Sequence, residues 1–258
     1  MSVSVFISPE RLSTYQKFTD SEARAIALHN HTLQLGSSLM SMIALFELGL
    51  RNGVNERIIE DFGSEDWLLN CPASLKLCPS EHRLIKQAKK HAQKAAYSKL
   101  THWEKKCFGA FAYPLGIPRS ENHETVSRKR QDFFVVSHGQ VISQTTIYFW
   151  KRLFAAEYEA NLWRRSLKKL FPNKNLKRSD ISSSLETVYA TRNRVAHHEP
   201  VYGDRLHDAI RAIDFLRENI GSKRPEDETP FKNFCRVQNL RLKMDYEAYK
   251  EAWATLAK

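Results

Sequence analysis

The sequence predicts an all-α fold, and three observations carry that prediction. Apolar residues recur at spacings of three, four and seven through most of the chain, which lines them up on one face of a helix. Glycine and proline number only nine each in 258 residues and fall mostly between the periodic segments, which argues against a many-turned β architecture. Several periodic segments also open on helix-start signals.

Ser8-Pro9-Glu10 is the first of these: a capping serine, a proline at the first helical position and an acid on the positive end of the dipole. That helix is short and ends near Phe18. Asp20 can cap a second, long stretch with apolar positions at Ile26, Leu33, Leu39, Met42, Ile43, Leu45, Phe46 and Leu50, and Gly36-Ser37-Ser38 predicts a break within it. Arg51, Asn52, Asn55, Glu56 and Arg57 then form a polar cluster on a helix ending before Gly63. Residues 64 to 80 read as irregular.

A basic helix runs from Glu81 to about Leu100, with Arg83, Lys86, Lys89, Lys90, His91, Lys94 and Lys99 around most of its circumference. Its apolar stripe is thin: Leu84, Ile85, Ala88, Ala92 and Ala95. Such a helix suits a solvated face, or contact with an RNA backbone through Lys86, Lys89 and Lys90. Residues 109 to 124 carry loop signals, and Ser120 to Asp132, with Arg128, Lys129 and Arg130, reads as an exposed loop.

Helices resume near Phe133, with Phe149, Trp150, Leu153 and Phe154 in the core. Asn161 to Leu170 is basic and amphipathic, and Pro172-Asn173-Lys174-Asn175 is a turn. The next helix has apolar positions at Ile181, Leu185, Val188, Tyr189, Val195 and Ala196, with Ser179 or Asp180 as its cap. Pro200 bars Glu199 from the α region, so the helix should end near His198. After Gly203, Leu206, Ile210, Ile213, Phe215 and Leu216 mark a helix packing back on it. Residues 221 to 230 resemble a linker, and Tyr246 to Lys258 a short final helix. The expected organisation is about eight helices in a domain over residues 1 to 220. An extension, 221 to 258, packs on that domain or on a partner.

Forty Lys and Arg against 29 Asp and Glu leave a net charge of +11, which favours a polyanionic partner over an acidic protein. Cys71, Cys78, Cys107 and Cys235 form no CxxC pair, and no signal-peptide pattern is seen, so reduced thiols in a cytoplasmic protein are expected. The longest apolar stretch, Leu39 to Leu50, is interrupted by Ser41 and Glu47, so no membrane association is expected.

The densest chemistry lies in Tyr189-Ala190-Thr191-Arg192-Asn193-Arg194-Val195-Ala196-His197-His198-Glu199-Pro200. At about 100° per residue, Asn193 and His197 share a face, as do Arg194 and His198, whereas Arg192 and His197 lie roughly 140° apart. Arg192 and His197 therefore converge on one small group only if the helix loosens at its end or a second chain supplies one of them. A phosphodiester suits both: imidazole takes a proton near neutral pH, and guanidinium stabilises charge developing on phosphorus. A structural reading competes, with cations at a helix C-terminus and a surface ion pair. His197, His198 and Glu199 are also potential metal ligands, but adjacent histidines diverge by about 100° on a helix and no HExxH or CxxC pattern supports them. No metal or other cofactor is expected.

Arg192-Asn193-Arg194-Val195-Ala196-His197 resembles the R-x-x-x-x-H motif of HEPN ribonucleases, and the longer Arg-Asn-x-x-Ala-His-His string is similar to their abortive-infection branch, the Abi-like proteins of AbiD/AbiF type. Glu47-Leu48-Gly49-Leu50-Arg51-Asn52 resembles that branch's first-helix region. Ser137-His138-Gly139-Gln140, with Tyr148-Phe149-Trp150-Lys151-Arg152-Leu153-Phe154, resembles its central aromatic segment. The resemblance spans roughly residues 8 to 220. It implies a HEPN-like helical bundle with additional helices that forms a homodimer, the motif of each protomer lining one composite cleft. It also implies an endoribonuclease toxin of phage defence, with Arg192 and His197 essential and Asn193 supporting them. Arg194, His198, Arg51 and Asn52 are the further RNA contacts expected. The RNA could be a tRNA or a noncoding RNA, held with or without cleavage, and an antitoxin is a possible partner. Glu199 departs from a simple motif, since it could pair with Arg192 or His198.

Overall fold

In the computed structural model, which describes residues 6–118 and 120–258, eleven α-helices and a few single turns of tighter or wider helix make up all the regular structure. The protein is all-α. It divides into two compact units, one formed by residues up to Asn52 together with Lys168–Lys258, the other by Gly53–Leu167.

The first unit opens with α1 (Pro9–Gln16), whose Ser8 hydroxyl accepts from the Arg11 amide. Helix α2 (Glu22–Phe62) is 41 residues long and unbroken, and the unit boundary falls within it. The break predicted at Gly36-Ser37-Ser38 does not occur. A glycine inside a helix costs about 1 kcal/mol, but here it lets another helix approach, since a Cβ at Gly36 would stand 3.5 Å from Val195 Cγ1. Ser37 caps its own ladder by donating to Leu33 O, and Ser38 donates to Asp245. By length and composition α2 could cross a membrane, its most apolar 18-residue window having a mean hydropathy of 1.4. Leu35, Leu39, Met42, Ile43, Phe46 and Leu50 are nevertheless buried within the protein, where they already form core.

Helix α8 (Arg178–Ala196) buries Ile181, Leu185 and Val188 and packs on α9 (Asp204–Asn219), as the periodicity after Gly203 predicts. Its start is secured by Asp180, whose carboxylate accepts from the Lys177 amide at 3.0 Å; Asp180 acts from the first turn and not as the cap itself. Residues 221 to 258 pack on this same unit. Helix α10 (Pro230–Phe234) sets Phe231 over Gly49, where a Cβ would strike the ring. Helix α11 (Arg236–Leu256) begins ten residues before the predicted Tyr246, because its first turns expose Val237, Leu240 and Met244 and so lack a core-facing signal. Asp245 accepts from Ser38, Gln34 and Arg241, and Trp253 packs against Phe18 and Tyr202.

The second unit holds α3 (Pro79–Ser98), α4 (His102–Ala112), α5 (His123–Asp132), α6 (His138–Gln144) and α7 (Ile147–Arg152). Its core stacks Trp67 on Phe149 and sets Trp150 edge-on to Trp67. Phe149, Trp150, Leu153 and Phe154 are all buried, as predicted. Ser120 to Asp132 is largely helix, not loop. Asn122 accepts from the Thr125 amide, Glu124 stands in the first turn and Lys129 and Arg130 in the last, so both ends complement the dipole. Asn161 to Leu170 forms irregular turns instead of an amphipathic helix.

Candidate functional site

The end of α8 is a Schellman turn. The His198 amide donates to Val195 O at 2.9 Å and the Glu199 amide to Arg194 O at 2.8 Å. The last helical residue is Ala196, two before the predicted end. The turn needs a left-handed residue after the cap, normally glycine, and His198 takes that place with φ 55°. Histidine visits this region more readily than bulky or β-branched residues do, but still at a cost.

That turn sorts the polar cluster. Glu199 folds back onto Arg194, Oε2 to Nη2 at 3.2 Å, with both side chains partly exposed. It pairs with neither Arg192 nor His198, the two partners the sequence suggested. Arg192 is half-buried and, among the described residues, makes one hydrogen bond, Nη1 to Asn193 Oδ1 at 3.4 Å, with no carboxylate against it. His197, at the C-cap, is exposed, and among the described residues neither of its ring nitrogens has a hydrogen-bond partner. His198 is exposed as well.

Beside this end lies a cavity of about 370 Å³ between the α2 segment from Thr32 to Met40 and the turn from Val195 to Val201. His198 and Glu199 line it, whereas Arg192 and His197 do not. The α2 residues involved, Leu33, Gly36, Ser37 and Met40 among them, were not singled out as site residues. Their only signal is the run of small residues at 36 to 38, which marks a close helix approach.

Arg51 and Asn52 lie 11 residues or more beyond Met40 along α2, about 16 Å at 1.5 Å per residue. Arg51 is held by Glu47 on its own helix, 3.3 Å away, with both side chains mostly buried. Lys86, Lys89 and Lys90 are exposed on α3, in the second unit. Among the described residues no three His, Cys, Asp or Glu side chains are close enough to share a metal ion.

The two companion segments carry structural roles. In the first, Leu50 is core, Gly49 admits the Phe231 ring and Glu47 pairs with Arg51. In the second, Ser137 and Gln140 form a reciprocal cap on α6. His138 Nε2 lies 2.9 Å from Asn55 Oδ1, which also accepts from Trp67, so His138 carries its proton on Nε2; burial holds its pKa below the usual value. Arg152 meets the fully buried Glu81 at 2.9 Å, and the Tyr158 hydroxyl donates to the same carboxylate at 2.7 Å. Burial opposes ionisation of Glu81, but its hydrogen bonds from Tyr158, Arg152 and Ser80 keep its pKa below the ordinary range.

Comparison with protein-family models, with curated proteins and with solved structures finds no match for this chain.

Proposed function

We propose that the protein is a metal-independent endoribonuclease of HEPN type that acts as a toxin in phage defence, cutting RNA by attack of a 2′-OH on its own phosphate. The observation that carries this reading is the division of labour at the end of α8. Arg194 is neutralised by Glu199, while among the described residues Arg192 faces no carboxylate and His197 has no side-chain partner. Groups whose only use was to cap the helix or hold the turn would be spent on it; these two are left available.

In the reaction, His197 takes the 2′-OH proton as the oxygen bonds to phosphorus, and Arg192 stabilises the charge that develops there. The bond from phosphorus to the 5′ oxygen breaks, giving a cyclic 2′,3′-phosphate and a 5′-hydroxyl. Asn193 orients Arg192 through its carbonyl oxygen. Because Arg192 and His197 diverge on α8, the competent site is composite, with His197 of the partner subunit available to protonate the leaving oxygen. Support for pairing comes from the exposed face of α2, where Leu33 is 39% and Leu48 42% exposed, and from the bare stripe of Val237, Leu240 and Met244 on α11. Leu33 also lines the cavity beside His198, so this apolar face borders the motif.

The test is incubation of the pure protein with labelled RNA in EDTA. Cleavage with cyclic phosphate ends, by a species that light scattering shows to be a dimer, is the expected result. Retardation without cleavage would favour a non-catalytic RNA-binding module, and neither would leave a structural dimer.

A further inference from the structure

A second cavity, about 440 Å³, lies in the other unit between α3 and α5. Helix α3 contributes Lys90 and Lys94, one turn apart, with His91 beside Lys90, and α5 contributes His123 and Arg128 opposite them. Among the described residues neither Lys90 nor Lys94 forms an ion pair, and Arg128 acts on Glu121 only through space, while Glu124 and Asp132 stand near the two ends of α5 on the same walls.

The walls are fixed. Gln93, buried between them, donates to the carbonyls of Asp132 at 3.3 Å and Phe134 at 3.0 Å, and so ties the end of α5 to α3. Phe133, the residue after Asp132, is 54% exposed. Cations along a rigid groove, carboxylates and amides among them, and a bare aromatic ring next to Asp132 form a consistent set. Cations meet backbone phosphates, acceptors such as Glu124 and Asp132 meet exocyclic base amines, and rings take stacked bases. A plain polyanion would be repelled by the two carboxylates, and a duplex would offer no unstacked base.

We infer that the groove between α3 and α5 is a non-catalytic site for a single-stranded RNA segment, with phosphates at Lys90, Lys94 and Arg128. In naming RNA as the occupant this rests on the proposed function, but the groove shares no residue with the motif and can be tested apart from it.

The experiment measures binding of a labelled single-stranded RNA of about 12 nucleotides, within the range one such surface covers, to full-length His197→Ala protein in EDTA across a salt series. Adding Lys90→Ala, Lys94→Ala and Arg128→Ala should weaken binding at least tenfold. It should also lower the salt slope by about 2, given roughly 0.7 per phosphate contact on a single strand. A charge-keeping variant with Lys90→Arg, Lys94→Arg and Arg128→Lys should bind almost as wild type, which excludes misfolding as the cause. Unchanged affinity and slope in the folded alanine variant would overturn the inference, as would equal losses for duplex RNA or for inorganic polyphosphate. If groove variants lose binding while no version of the protein cuts RNA, the groove stands and the catalytic proposal fails. If His197-dependent cleavage persists with binding untouched by the groove variants, the reverse holds.

Discussion

The end of α8 and the Glu81 node of the second unit are both dense in charge, and they use it in opposite ways. Around Glu81 every group is spent inside the protein: Arg152 and Tyr158 meet its carboxylate, the Cys78 amide donates to the Tyr158 hydroxyl and Glu157 takes the rest of Arg152. At the end of α8, Glu199 pairs with Arg194, and among the described residues Arg192 and His197 remain without a charged partner. Polar density alone therefore does not mark a working site. What distinguishes the two regions is whether each group has an internal partner once the chain is folded, and substitutions at five positions test that distinction.

The largest effect is expected at the motif. His197→Ala should lower RNA cleavage by about 10²–10⁴-fold, the usual contribution of a positioned acid–base group, and Arg192→Ala should do likewise. Melting curves should barely move, within about 0.5 kcal/mol, because His197 is exposed and Arg192 makes only the long hydrogen bond to Asn193. RNA affinity should survive better than cleavage. Folded His197→Ala protein that cuts as fast as wild type would falsify the assignment.

Glu81→Gln should behave the other way round. Removing one partner of a buried pair costs about 3–5 kcal/mol, and the lower end applies because Arg152 keeps Glu157. Chemical denaturation should show that loss, while cleavage by the protein that remains folded should be unchanged. Lost cleavage with an unaltered unfolding curve would erase the contrast between the two regions.

Gly49→Ala tests a segment that resembles the first-helix region of the Abi-like proteins and that the fold explains by packing. The new methyl group must displace the Phe231 ring, at about 1–3 kcal/mol for overpacking. Stability measured by urea titration should fall and catalytic constants should hold. A fall in cleavage alone would mean that this stretch of α2 serves the site after all.

How much of this was legible beforehand depended on whether the cause was local. The positions of α8 and α9, the core role of Phe149 and Trp150 and the start of α1 follow from periodicity and caps that a few neighbouring residues supply. Gly36 misleads because, read alone, it is a breaker, and only Val195 across the interface explains why α2 tolerates it. Helix α5 was hidden behind Arg128-Lys129-Arg130, read as an exposed charge run although cations suit a helix C-terminus. The return of α11 to α2 through Asp245 has no sequence signal, since it joins Ser38 to a residue 207 positions away. At the motif the candidates were legible as a set. Which arginine Glu199 would take was not, because that depends on a left-handed turn no usual residue announces.

That turn gives the smallest and most discriminating test. His198 holds φ 55°, where a side chain costs about 1–2 kcal/mol and glycine costs little. His198→Gly should therefore raise stability, by about 0.5–1 kcal/mol once the greater freedom of glycine in the unfolded chain is discounted. His198→Ala keeps the strain and should gain nothing. If His197 is the base, both variants should cut RNA nearly as wild type, since the Schellman hydrogen bonds and the Arg194–Glu199 pair depend on the backbone and not on the imidazole. His198 does line the cavity that His197 avoids, and this gives the alternative a definite form. A glycine variant that is more stable yet inactive would show that the strained histidine is kept for chemistry, and would move the proton-accepting role from His197 to His198 while leaving Arg192 where it is.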